Sequence, residues 1–127
     1  MLYTREARGT VPEVVQKLEE AAKANKFGVI GVINLTERIQ AKGVDFVPQC
    51  VVIEVCNPVQ AKKVLESNMA ISTALPCRIS VYEESGKVKV ATLRPTAMLG
   101  LFGSADLAPV AQSVEESVVR IIDAACQ

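Results

Sequence analysis

The stretch CRISVYEESGKVKVATL, Cys77–Leu93, decides the fold. Two runs of alternating apolar and polar residues flank the pair Ser85-Gly86. A two-residue loop of that type predicts a tight β-hairpin. Pairing across the loop sets Glu84 opposite Lys87, Tyr82 opposite Lys89 and Val81 opposite Val90. This register matches opposite charges and apolar partners together. Ile79, Val81, Val88 and Val90 then share a face with Cys77, and Arg78, Tyr82, Lys89, Ala91 and Leu93 share the other.

Upstream, QCVVIEV (49–55) reads as a strand with Val51, Ile53 and Val55 on one face and Cys50, Val52 and Glu54 on the other. It runs into Cys56-Asn57-Pro58. Asn57 is a good helix cap and Pro58 suits the first helical position, so a helix of about ten residues follows. FGVIGVINL (27–35) is apolar on both parities and reads as an interior strand covered on both faces. TERIQAKG adds one or two helical turns ending at Gly43.

Near the start, LYTREA suits a short first strand. Thr10, Pro12 and Glu13 then form a capping-box pattern, and Val11, Val14, Val15, Leu18, Ala21 and Ala22 recur at helical spacing to about Asn25. Downstream of the hairpin, RPTAMLGLFGSAD reads as an apolar, Gly-containing loop, with Ser104 or Asp106 as cap of the last helix. Val110, Val114, Val118, Ile121, Ile122 and Ala125 give that helix an apolar stripe. The segment SNMAISTALP carries no decisive signal.

The order predicts one α+β domain over residues 1–127. Its largely antiparallel sheet carries two long helices on one face. The opposite face is mixed, with Val52, Tyr82, Ala91 and Leu93. Such a surface calls for a partner subunit, a ligand or the apolar loop after the hairpin.

Composition works by exclusion. The 127 residues hold 14 Lys+Arg and 14 Asp+Glu, so there is no basic surplus to displace counterions from a nucleic acid. The N-terminus lacks the apolar run of a signal peptide, and no segment is long and apolar enough to cross a bilayer. A cytoplasmic protein is expected, with four reduced cysteines rather than a disulfide framework. The chain has no histidine, which removes Ser-His-Asp and Cys-His mechanisms and the commonest metal ligand. No metal site and no cofactor is expected.

The remaining candidates are few. Cys56 stands at a helix start, where partial positive charge lowers a thiol pKa. With Cys77 it offers a soft-metal or redox pair, although two thiols do not complete a zinc site. Strand parity sets the two on opposite faces, and free cysteines are most often packing residues, as Cys50 and Cys126 are expected to be. Glu54 sits mid-strand, and Tyr82 on the mixed face can donate to a ligand. The bland alternatives are a paired surface carboxylate and a packed ring. The glycines at 28, 31, 100 and 103 match no phosphate-loop pattern.

FGV (27–29), GVDF (43–46), CNP (56–58), LPC (75–77) leading into VYE (81–83), and a Pro-containing turn after the hairpin resemble the "domain of unknown function 302" family, also called TT1751-like proteins. The resemblance spans nearly the whole chain. It implies an α+β fold similar to the TATA-binding-protein-like arrangement, a small protein, dimers, and no established activity or cofactor. It carries over Cys56, Asn57, Pro58 and Cys77, with no settled role. Family members often have an acidic residue before the proline after the hairpin, where this chain has Arg94. Three readings result. The first is a non-catalytic homodimeric binding domain, holding a small apolar molecule at its mixed face. The second is a thiol-based redox or metal-handling protein using Cys56 and Cys77. The third is a carboxylate enzyme around Glu54 and Tyr82.

Overall fold

The computed structural model describes residues 1–127. The strands are β1 (Leu2–Ala7), β2 (Gly28–Asn34), β3 (Cys50–Cys56), β4 (Cys77–Glu84) and β5 (Lys87–Leu93). The helices are α1 (Val11–Ala24), α2 (Leu35–Ala41), α3 (Pro58–Ser67), α4 (Pro95–Gly100) and α5 (Ala108–Ala125). All strand pairs are antiparallel, in the order β1-β5-β4-β3-β2. The fold is α+β.

The β4–β5 hairpin has the register its sequence dictates: Val81 pairs Val90, Tyr82 pairs Lys89 and Glu84 pairs Lys87. Ser85 and Gly86 both have positive φ, 54° and 75°. That twist matches the strands, and glycine adopts it without a Cβ penalty. The capping box of α1 is closed as well. Glu13 N–H donates to the Thr10 hydroxyl at 3.3 Å, and Thr10 N–H donates to the Glu13 carboxylate at 3.2 Å. Asn57 caps α3 by accepting from the N–H groups of Val59 and Gln60 at 3.1 and 3.2 Å.

Helices α1 and α5 pack on one sheet face. Val14, Leu18, Val118, Ile121 and Ile122 meet Ile53, Ile79, Val81 and Val90, all essentially sealed from water. Each such side chain contributes on the order of 1.5–3 kcal/mol through burial. A smaller core joins Val64, Ile71, Leu99, Leu107 and Ala111 beside the end of the sheet. Ile71 belongs to a 3-10 segment, Met69–Ala74, which supplies the structure that SNMAISTALP did not signal.

Three expectations are corrected. β2 is an edge strand, not an interior one: nothing pairs its far side, and Ile30 and Val32 remain 63% and 47% exposed. Its register slips between Val29 and Gly31, so Ile30 bulges out of the ladder, while Val29 and Ile33 stay half-buried. The segment after the hairpin is not all loop, because Pro95 opens α4 and Leu99 anchors that helix in the smaller core. Neither Ser104 nor Asp106 caps α5: Leu107 occupies the cap position, and Asp106 instead accepts a 3.0 Å hydrogen bond from the Ser67 hydroxyl. No helix is long and apolar enough to cross a membrane.

Candidate functional site

Strand parity leaves the side of the sheet opposite α1 and α5 without a covering layer. Its floor is Val52 of β3, Ser80 of β4 and Ala91 of β5. At one end α4 and the residues after it rise beside this floor and form a cleft of about 560 Å³. Leu2, Leu93, Met98, Leu101 and Phe102 make its apolar walls, with Arg78, Ser80 and Thr73 as polar groups. Ala91 is only 8% exposed, so the cleft floor is recessed. Leu101, at 79% exposure, marks an open rim.

Glu54 and Tyr82 both belong to this open face but do not meet. The register pairs Glu54 with Arg78 and Tyr82 with Cys50, four residues away along β3. At about 3.3 Å per residue the separation is about 13 Å. Arg78 Nε donates to Glu54 Oε2 at 3.4 Å. On its other side Glu54 lies over Gly31: a Cβ at Gly31 would stand 2.5 Å from Glu54 Oε1. Glycine therefore makes the room in which the carboxylate sits. Tyr82 is half-buried beside Lys89, whose ammonium donates to Glu84 at 2.8 Å. The hydrogen bond and charge of Glu84 raise the Lys89 pKa.

Cys56 and Cys77 do come together, contrary to the parity argument. Val55 pairs Cys77, and at the strand end both cysteines border a void of about 30 Å³ with Phe27, Val64, Leu75 and Val114. Asn57 borders the same void while its side chain is engaged in capping α3. Burial, with a smaller contribution from Cys56, pushes the Cys77 thiol up from 9.0 to about 11. A thiol so placed stays protonated at neutral pH, which opposes nucleophilic and metal-binding roles. All four cysteines are free. Cys126 is buried in the main core, and Cys50 lies 3.9 Å from the Ser80 hydroxyl. No three or more Cys, Asp or Glu side chains converge as a metal-binding group.

A polar cluster that the sequence did not signal ties β1 to α5. Tyr3 donates its hydroxyl proton to Asp123, and Arg5 Nη1 donates to the same oxygen at 2.8 Å. The bond to Asp123, followed by burial, raises the Tyr3 pKa. The guanidinium of Arg94 lies 5.2 Å from the Tyr3 ring centre and 3.6 Å from Glu115. Arg94 thus holds structure between β1, the end of β5 and α5. Tyr3 and Asp123 are 120 residues apart, so only the fold brings them together.

No curated protein matches the chain. The crystal structure of an uncharacterized conserved DUF302 protein from Bacillus stearothermophilus is similar over 99% of this chain and 98% of that one, at 34% identity and a TM-score of 0.93. The family described as "Domain of unknown function DUF302" matches residues 3–125, from the second residue of β1 to the last residue of α5. The chain belongs to the DUF302 family.

Proposed function

We propose that this is a non-catalytic binding domain that takes a small, largely apolar molecule into the cleft on the open sheet face. The cleft carries the reading. Its volume of about 560 Å³ falls within the roughly 300–1,000 Å³ typical of small-molecule sites, and its walls are mostly apolar with a few polar groups. Glu54 and Tyr82 are too far apart to act on one bond, so the cleft is a receptacle rather than an active site. The molecule works as one 127-residue domain that self-associates, a reading supported by the apolar side chains left exposed at Ile30, Val32, Val44 and Val47. Four free cysteines suit a reducing cytoplasm.

The test is titration of the protein with an environment-sensitive apolar dye, followed by displacement with medium-chain alcohols and carboxylates. The expected result is saturable uptake at about one dye per chain. Ala91→Leu fills the cleft floor and is expected to weaken uptake about tenfold or more. Undiminished uptake in a folded Ala91→Leu protein, or no uptake by the wild type, would sink the cleft reading. A rival use of Cys56 and Cys77 as a thiol pair is favoured only by their shared void, and thiol reactivity decides it.

A further inference from the structure

The two edges of the sheet are built differently. β1 carries Arg5 and Glu6, and both are tied down: Arg5 to Asp123 at 2.8 Å and Glu6 to Lys87 at 3.1 Å. Charges of this kind guard an edge against pairing with another chain. β2, with the sequence GVIGVIN, has no charge and no proline. Its outward row of backbone N–H and C=O groups has no partner in the chain. On this strand or directly after it Ile30, Val32 and Leu35 are exposed, and exposed Val47 lines the groove beside Val32, four of the eleven large apolar side chains left in water.

We infer that β2 pairs antiparallel with β2 of a second copy of this chain, joining two five-stranded sheets into one of ten. This inference rests on the self-association reading and assigns its surface. The occupant follows from complementarity. An antiparallel strand edge is its own complement under a two-fold axis, because each donor meets the acceptor it presents to its partner. A charge-free edge adds no like-charge repulsion when it meets itself. Parity fixes the register further. A residue must oppose one on the same face, or the helices of the two copies fall on opposite sides. Within the regular stretch beyond the bulge, Val32 opposite the partner's Val32 meets this condition and sets Gly31 opposite the partner's Ile33. Val32 lies on the helix-covered face, beside the groove that Val11 and Val15 of α1 also line. Self-pairing therefore continues the helical layer as well as the sheet.

The experiment uses light scattering on the full chain from about 1 µM to about 1 mM, the range over which weak dimers reveal themselves. Wild type, Val32→Lys, Ile30→Lys and Leu93→Lys are compared, with circular dichroism to establish folding. Val32→Lys sets two ammonium groups against each other across the axis and is expected to weaken the dimer about tenfold or more. Ile30→Lys is expected to weaken it less, and Leu93→Lys, on the cleft rim, to leave it intact. Amide exchange on the unaltered protein gives a second readout: the outward amides of β2 should slow as concentration rises, and those of β1 should not. A dimer that survives both edge variants, that Leu93→Lys dissolves, or that leaves the β2 amides unprotected overturns the edge assignment while self-association stands. A wild type that stays monomeric throughout overturns both.

Discussion

Cys77 offers the sharpest check on the chemistry. Its thiol is pushed from 9.0 to about 11, because ionising it would place charge among Val55, Val64 and Val114. Two units leave about a hundredfold less thiolate at any pH below 9. Alkylation with iodoacetamide at neutral pH, followed by peptide mass spectrometry, reads this directly. Cys77 should react about a hundredfold more slowly in the folded protein than in urea-unfolded chain. The same shift makes a stability claim. The unfolded thiol ionises near 9 and the folded one near 11, so the folded state binds the proton more tightly. That contribution is complete below pH 9 and is lost as pH rises from 9 to 11. At about 1.4 kcal/mol per unit, the loss is on the order of 3 kcal/mol. Urea denaturation between pH 8 and pH 11 measures it, with Cys77→Ala as the variant that lacks this slope. Native alkylation within about threefold of the unfolded rate, or identical pH slopes in the two proteins, would refute the reasoning and revive the thiol pair.

Gly31→Ala should push the Glu54 carboxylate off its present seat and break its bond to Arg78. The obstructing atom ends a flexible side chain, so the expected loss is about 1 kcal/mol in urea unfolding, and a Gly31→Ala/Glu54→Ala double variant should show non-additivity. Asn57→Ala removes the acceptor for two α3 amides and should cost about 1 kcal/mol, with faster amide exchange at Val59 and Gln60. Ile79→Ala, at a fully sealed position in the middle of the sheet, should cost about 2–5 kcal/mol by thermal or urea unfolding.

What the sequence revealed depended on the range of the interaction. The β4–β5 hairpin was legible because Ser85-Gly86 determines its turn and register within a few residues. Helices α1 and α3 announced themselves through Thr10 and Asn57, whose caps are local as well. β2 was misjudged because an apolar run on both parities reads alike for an interior strand and for an edge reserved for something else. Only the sheet order separates the two, and that order is a long-range property. The cysteine pair was misplaced because strict alternation fails at a strand end, where Cys56 turns toward Cys77's side. The cleft was half-visible. The mixed face followed from alternation, but its wall required α4, whose anchor Leu99 packs on Ile71 and Leu107 from other parts of the chain. The Tyr3–Asp123 contact lay beyond any local pattern.

The bond between Tyr3 and Asp123, with β1 seated on β5, sets a schedule for the newborn polypeptide. β1 emerges first, yet its neighbour in the sheet begins at Lys87 and its anchor in α5 comes later still. At about 5–20 residues per second, the leading strand waits several seconds on the ribosome with its hydrogen bonds unmet. The meander from β2 to β4 has its neighbours to hand and can assemble during that interval. Final closure joins the opening and closing stretches of the chain, the kind of distant contact that slows folding. A ribosome stalled before α5 would therefore leave an apolar sheet face covered by α1 alone, a natural target for chaperones.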